Sequence, residues 1–218
     1  MCWNANSSKN AYIIGTLGSL ILLYFGNNIE RTIGLFSLTI VQMQLIEYII
    51  WIDKDCGKMN NVASKLIITE LIFQILSLVL GCYLFNSSLL SKKQMKTILI
   101  VYIIIIIALL GFYYFKIYDK QLCTKKLENK GLEWDMGIVK YFNKNYFNTI
   151  LNIFYFGSLF FLPFIWKSKI KKYFFILFWV FSLLYIKKLN SVTWQSRWCF
   201  PSAFLPYIFI ILMILKIN

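Results

Sequence analysis

Histidine is absent from all 218 residues of the chain. Its absence removes the usual general base at neutral pH and the commonest metal ligand. Ser-His and Cys-His nucleophilic pairs are therefore excluded. No Cys-x-x-Cys pair is present, which argues against thiol–disulfide relays and zinc ribbons, and no Gly-rich phosphate loop is found. We expect no metal site and no cofactor, and the sequence argues against an enzyme.

Charged residues are also scarce. They make up 15% of the chain, against 59% hydrophobic residues, whereas about a quarter of an average soluble domain is charged. The apolar residues come in long uninterrupted blocks, such as the run Ile103 to Ile107, and not with the period of a one-sided helix or strand. A bilayer core of about 30 Å is crossed by about 20 helical residues. We predict an all-α, polytopic helical membrane bundle with about seven transmembrane helices.

Seven blocks are candidate spans. In chain order they are Tyr12–Gly26, Thr32–Ile52, Ala63–Phe85, Thr97–Phe115, Asn148–Trp166, Tyr173–Ile186 and Cys199–Leu215. Six spans, with the sixth block lying along the membrane interface, is the main alternative. The connections are short except for a polar loop at 116–147. No internal repeat is present, so residues 1–218 are expected to form one transmembrane domain.

The distribution of lysine predicts an orientation. With seven spans, the N-terminus lies on one side of the membrane, here face A, and the C-terminus on the other, face B. The two main loops of face B carry lysines without acidic residues, and lysine-rich short loops mark the cytoplasmic side. We therefore expect the N-terminus to be extracellular or lumenal. These lysines are predicted to contact anionic lipid headgroups, and not nucleic acid; they are Lys92, Lys93, Lys96, Lys167, Lys169, Lys171 and Lys172.

Four of the five cysteines fall on face A under the same count. They are Cys2, Cys56, Cys123 and Cys199. An oxidising compartment would permit these thiols to form disulfides. Four cysteines allow three pairings, and we favour Cys2 with Cys199 and Cys56 with Cys123. If face A were cytosolic, the same thiols would be free or metal-binding instead.

A small polar set lies inside the predicted spans. Glu47 and Glu70 lie about 8–11 Å below face A, counted at 1.5 Å per residue, on consecutive antiparallel helices. Gln44 and Gln74 are spaced so that each shares a helix face with one of the two glutamates. Because a charged group within a span costs several kcal/mol, such residues usually face a cavity or a partner. The set predicts either a proton-coupled path that opens toward face A or hydrogen bonds that hold the helices together.

Three short motifs resemble an uncharacterised family of multi-pass membrane proteins found in bacteria and large DNA viruses. They are the opening Met1–Ala5, the stretch Met43–Trp51 and Arg197–Cys199. Ser196–Phe200 departs at two places from the Ser-Leu-Trp-Cys-Trp form of that family. The resemblance implies that Cys2, Trp3, Glu47, Trp198 and Cys199 matter, and it supplies no mechanism.

Two functions fit these observations. The first is a small-solute or ion transporter or channel, proton-coupled through Glu47 and Glu70. The second is a non-catalytic structural or interaction protein of a virion or organelle membrane, acting through the long loop. The sequence leaves the substrate and the oligomeric state open.

Overall fold

The computed structural model describes residues 4–127, 131–142, 146–189 and 193–217. The chain is mostly helical. The first half contains α1 (Ala5–Phe25), α2 (Asn28–Ile40), α3 (Gln42–Ile52), α4 (Lys58–Leu84) and α5 (Lys92–Ile117). The second half contains strands β1 (Lys125–Leu127) and β2 (Gly131–Glu133), then α6 (Ile138–Tyr141), α7 (Tyr146–Phe161), a 3-10 turn (Leu162–Ile165), α8 (Lys169–Leu189), α9 (Trp194–Ser202) and α10 (Leu205–Ile214).

Polar side chains fix where the helices begin. The Asn27 side chain accepts from the backbone of Glu30, and the Glu30 carboxylate accepts from the backbone N–H of Asn27, at the start of α2. Ser91 and Gln94 make the same reciprocal pair at the start of α5. Such pairs satisfy two backbone N–H groups that have no partner inside the helix.

Among the described residues, five helical stretches are long and apolar enough to cross a membrane. They are Asn28–Ile52, Lys58–Leu84, Lys92–Ile117, Tyr146–Ile165 and Ser196–Ile214. The first and the sixth predicted spans correspond to α1 and α8. Both are helical over 21 residues but are not among these five stretches.

Two of the five stretches are interrupted. Val41 separates α2 from α3. Two residues earlier, the Thr39 hydroxyl donates to the backbone carbonyl of Phe36. Bonds from a threonine side chain to the preceding helical turn commonly bend helices. The last stretch is interrupted between α9 and α10, where Pro206 lacks the N–H that would continue the helix. Each interruption falls within one predicted span, so two spans are pairs of helices.

The two interruptions meet at α1. Val41 and Ala203 are fully buried and pack with Ala11 in one small cluster. A Cβ atom placed on Gly15 would lie 2.9 Å from the carbonyl oxygen of Ala203 and would also collide with Val41. Only glycine therefore allows α1 to approach both interruptions this closely.

The main core is rich in aromatic rings. Phe175 contacts Trp166 and Phe36 at ring-centroid distances of 5.0 and 5.5 Å, and Trp179 contacts Trp198 at 4.8 Å. In contrast, α5 buries few of its apolar side chains. Its isoleucines Ile100, Ile103, Ile104, Ile105 and Ile107 are exposed, which leaves an apolar outer surface much larger than the isolated patches of soluble proteins.

Candidate functional site

The polar loop predicted at 116–147 forms a folded cover over one end of the bundle. We call residues 118–127 and 131–142 the cover. Strands β1 and β2 pair in antiparallel register, with Lys125 opposite Glu133. The N-terminus of α1 and the loop between α3 and α4 lie at the same end, face A of the predicted topology. The loops that contain Ser87 and Lys167 hydrogen-bond to each other at the other end.

A disulfide ties the cover to the bundle. Cys56, in the loop between α3 and α4, is bonded to Cys123, with their Cα atoms 5.1 Å apart. This is one of the two pairings favoured from the sequence. Cys199 is buried with a free thiol, and Cys2, the partner predicted for it, lies outside the described residues. Cys82 is also buried and free.

Buried hydrogen bonds reinforce the disulfide. The Asn60 side chain donates to the Thr124 carbonyl at 3.0 Å and accepts from the Thr124 N–H at 3.0 Å. The Ser64 hydroxyl donates to the Thr124 hydroxyl at 2.8 Å, which in turn accepts from the Asp135 N–H at 3.1 Å. Because these groups are almost fully buried, each bond also avoids the cost of an unsatisfied polar atom. The cover is thereby held over the helix ends.

Asp135 organises the second half of the cover. Its carboxylate accepts from the N–H groups of Cys123 and Gly137 and pairs with the Lys140 ammonium at 2.8 Å. The hydrogen bond to Asp135 raises the pKa of Lys140 above its usual value. Gly137 has a φ of 69°, a backbone conformation that side-chain-bearing residues rarely adopt. The turn that starts α6 is therefore fixed by Asp135 and Gly137 together.

The four predicted polar residues all lie below the cover. Gln44 and Glu47 are fully buried on α3, Gln74 is buried on α4, and Glu70 is half-buried. Glu70 lies one helical turn before Gln74 on α4, and the side-chain oxygen of Gln74 accepts from the Tyr155 hydroxyl at 2.7 Å. The bond between Gln74 and Tyr155 joins α4 to α7.

The cover reaches into this polar set through Trp134. Its indole N–H donates to the Glu47 carboxylate at 3.2 Å. Cys199 and Trp134 pack in the same cluster, beside Ile46 and Ile50 of α3. Trp134 therefore links the cover to Glu47, next to the buried thiol of Cys199.

Two cavities lie on either side of Trp134. The outer cavity, of about 330 Å³, is lined by the cover alone and contains Lys125, Glu133, Asp135 and Lys140. The inner cavity, of about 70 Å³, is lined by α4, α7, α9 and parts of α2, α8 and the cover. Trp134, Met136 and Ile138 line both cavities. This segment of the cover is therefore the wall between them.

Face B contains a buried ion pair that the sequence analysis did not predict. The Lys171 ammonium lies 2.7 Å from the Glu30 carboxylate, and their side chains are 1% and 2% exposed. The prediction that Lys171 contacts lipid headgroups is wrong, because its charge is buried against Glu30. The other predicted contacts, Lys92, Lys93, Lys96, Lys167 and Lys169, are exposed, and Lys172 is half-exposed.

One signal in the sequence could have indicated the pair. Glu30 is an acidic residue in a face B loop whose neighbouring loops carry several lysines. Because Glu30 lies three residues after Asn27, one of its carboxylate oxygens accepts from the Asn27 N–H at the start of α2. The other carboxylate oxygen can pair with a cation, which in the structure is the Lys171 ammonium.

No protein-family model, curated protein or solved structure matches the chain. The resemblance to the uncharacterised family of multi-pass membrane proteins therefore stays a prediction. Within the described ranges, no three His, Cys, Asp or Glu side chains lie together as a metal site would require.

Proposed function

We propose that the chain is a membrane protein with seven spans, in which α1 and α8 cross together with the five long apolar stretches described above. A helix of 21 residues is about 31 Å long at 1.5 Å per residue, which matches the bilayer core. Both helices expose large apolar side chains, including Leu17 and Phe25 on α1 and Phe181 and Leu184 on α8. Lipid tails would cover these side chains.

We further propose that face A is extracellular or lumenal and that face B is cytoplasmic. Disulfides persist in oxidising compartments, and Cys56–Cys123 lies on face A of this topology. The exposed lysines of face B would contact anionic headgroups, each contributing about 1 kcal/mol near such a surface.

For the activity, we propose a proton-coupled transporter or channel for a small solute or ion, with the inner cavity as its site. The observation that carries this proposal is that Trp134 separates the two cavities and hydrogen-bonds to Glu47. An indole N–H bonds more strongly to a carboxylate than to a neutral acid. Protonation of Glu47 would therefore loosen Trp134 and open the inner cavity toward face A.

The interrupted helices support the same proposal. Ile40, the last residue of α2, and Ser202, the last residue of α9, both line the inner cavity. Transporter sites are commonly built where membrane helices are discontinuous, because the interruption frees backbone polar groups and permits movement. The inner cavity thus lies beside the two segments that are most able to bend.

Flux measurements test the proposal. The protein would be reconstituted in liposomes that contain a pH-sensitive dye, and proton movement would be followed after a pH step. We expect Glu47→Gln and Glu70→Gln to reduce flux at least tenfold while Asp119→Asn, an exposed residue of the cover, leaves it unchanged. Flux by the parent protein no greater than that of empty liposomes would reject transport and favour the structural or interaction role.

A further inference from the structure

The inner cavity has an aromatic lining. Six aromatic side chains from the cover, α7, α8 and α9 line it, and they are Trp134, Phe154, Tyr155, Phe156, Trp179 and Trp198. Gln74, Asn148 and Asn152 also line it; the Gln74 side-chain oxygen already accepts from the Tyr155 hydroxyl, and the Asn148 side-chain oxygen from the Asn152 amide, which leaves each one further lone pair. Aromatic faces carry negative electrostatic potential and attract cations that lie within about 6 Å of the ring centre.

The charges around the cavity also favour a cation. None of its lining residues is a lysine or an arginine. Two carboxylates adjoin lining residues, since Glu47 accepts from the Trp134 indole N–H and Glu70 lies one helical turn before Gln74 on α4. Arg197 is buried on α9, beside the lining residue Trp198, but does not itself line the cavity. An anion would meet no lining cation, whereas a cation would meet both ring faces and amide oxygens.

The size of the cavity limits the ligand. A volume of about 70 Å³ compares with the 10–15 Å³ that one water requires on the same measure, so a ligand has on the order of five non-hydrogen atoms. A bare alkali ion prefers a shell of six or more oxygens, and three amides among many apolar side chains do not supply one. A cation with short alkyl groups fits both the rings and the amides.

We propose that the inner cavity binds a small organic cation, an ammonium with one or two short alkyl substituents. This inference rests on the proposed function, since it names the class of solute that the transporter would carry. The ammonium N–H groups would donate to the amide oxygens of the cavity, and the alkyl groups would lie against the indole rings.

Binding of methylammonium to the protein in lipid nanodiscs tests the inference. Titration calorimetry would compare it with acetamide, which is neutral, and acetate, which is an anion of similar size. We expect saturable binding of methylammonium alone. Glu70→Gln and Tyr155→Phe should each weaken it about tenfold, while Asp119→Asn does not change it. Circular dichroism and thermal unfolding would check that each variant is folded.

The outcomes separate this inference from the proposed function. Saturable binding of acetamide or acetate at least as tight as that of methylammonium, or no saturable binding of methylammonium, overturns the cation assignment. If proton flux still depends on Glu47 and Glu70 in that case, transport stands with another solute. If methylammonium binds as expected but the parent protein shows no flux, the cation site stands and transport fails.

Discussion

The two ends of the bundle are held together by different chemistry. At face A, a disulfide and a network of neutral hydrogen bonds fasten the cover to α4. At face B, hydrogen bonds between the loops that contain Ser87 and Lys167 are accompanied by a buried ion pair that joins the start of α2 to the start of α8. Losing a neutral hydrogen bond costs about 1–3 kcal/mol, whereas losing one partner of a buried ion pair leaves a charge in a medium that solvates it poorly. Face A should therefore tolerate substitution better than face B.

The largest effect is expected from Lys171→Met. The substitution leaves the Glu30 carboxylate buried without its cation, which should lower the free energy of unfolding by about 3–5 kcal/mol. Reversible unfolding in mixed micelles would measure it. The double variant Glu30→Gln and Lys171→Met removes both charges and should recover at least half of the loss. Equal destabilisation by the single and double variants would contradict the role assigned to the pair.

The second largest effect is expected from the double variant Cys56→Ser and Cys123→Ser. The disulfide closes a segment of 67 residues, and the chain-entropy relation gives about 4 kcal/mol for a loop of this length. Two long intervening helices, α4 and α5, already restrict that segment, so we expect a loss of about 2–4 kcal/mol. The same unfolding assay measures it, with reductant-treated parent protein as the matched control. A variant as stable as the oxidised parent would show that the hydrogen bonds of Thr124 alone hold the cover.

We expect Trp134→Ala to have a smaller effect on stability but to make the inner cavity much more accessible. It removes the hydrogen bond to Glu47 and part of the wall between the cavities, at a cost of about 1–3 kcal/mol. Cys199 lines the inner cavity and carries a free thiol, so its rate of labelling reports access. In a background with Cys2→Ser and Cys82→Ser, we expect a small thiol reagent to label Cys199 at least tenfold faster. Trp134→Phe keeps an aromatic ring and should give an intermediate rate; an unchanged rate in Trp134→Ala would mean that the wall is elsewhere.

The smallest effect is expected from Lys140→Ala. The Lys140 side chain is 59% exposed beside Asp135, and exposed pairs of this kind contribute less than about 1 kcal/mol. Because Asp135 raises the pKa of Lys140, the contribution is present below the ordinary lysine pKa and is lost as the pH rises through the folded-state value. The variant should therefore differ from the parent at pH 7 and converge with it well above pH 10.5. A difference that persists there would indicate packing by the lysine stem.

The sequence predicted the helices well because long apolar blocks report directly on burial in lipid or protein. It also placed Glu47 and Glu70 on consecutive helices, which are α3 and α4, while their similar depth stays a prediction. It did not predict the interruption at Val41, where no proline or glycine marks the bend. Nor did it predict the bond from Trp134 to Glu47, because the path of a long loop depends on contacts distant in sequence.

The ion pair was missed for a related reason. Lys171 sits among lysines that are exposed, and nothing in its immediate sequence distinguishes it from Lys169 or Lys172. Its burial is decided by the packing of α8 against α2, a contact between residues 141 positions apart. Pairings over such separations are fixed by the tertiary fold and not by local sequence pattern.

Gly15 places a constraint on how this molecule can move. Its missing side chain lets α1 rest on Val41 and Ala203, the points where two other helices are interrupted. Neither helix can bend at its interruption without sliding across the same few atoms of α1. A motion that widens the inner cavity would consequently move both interrupted helices against α1 at the same place. The two halves of the chain would therefore move together.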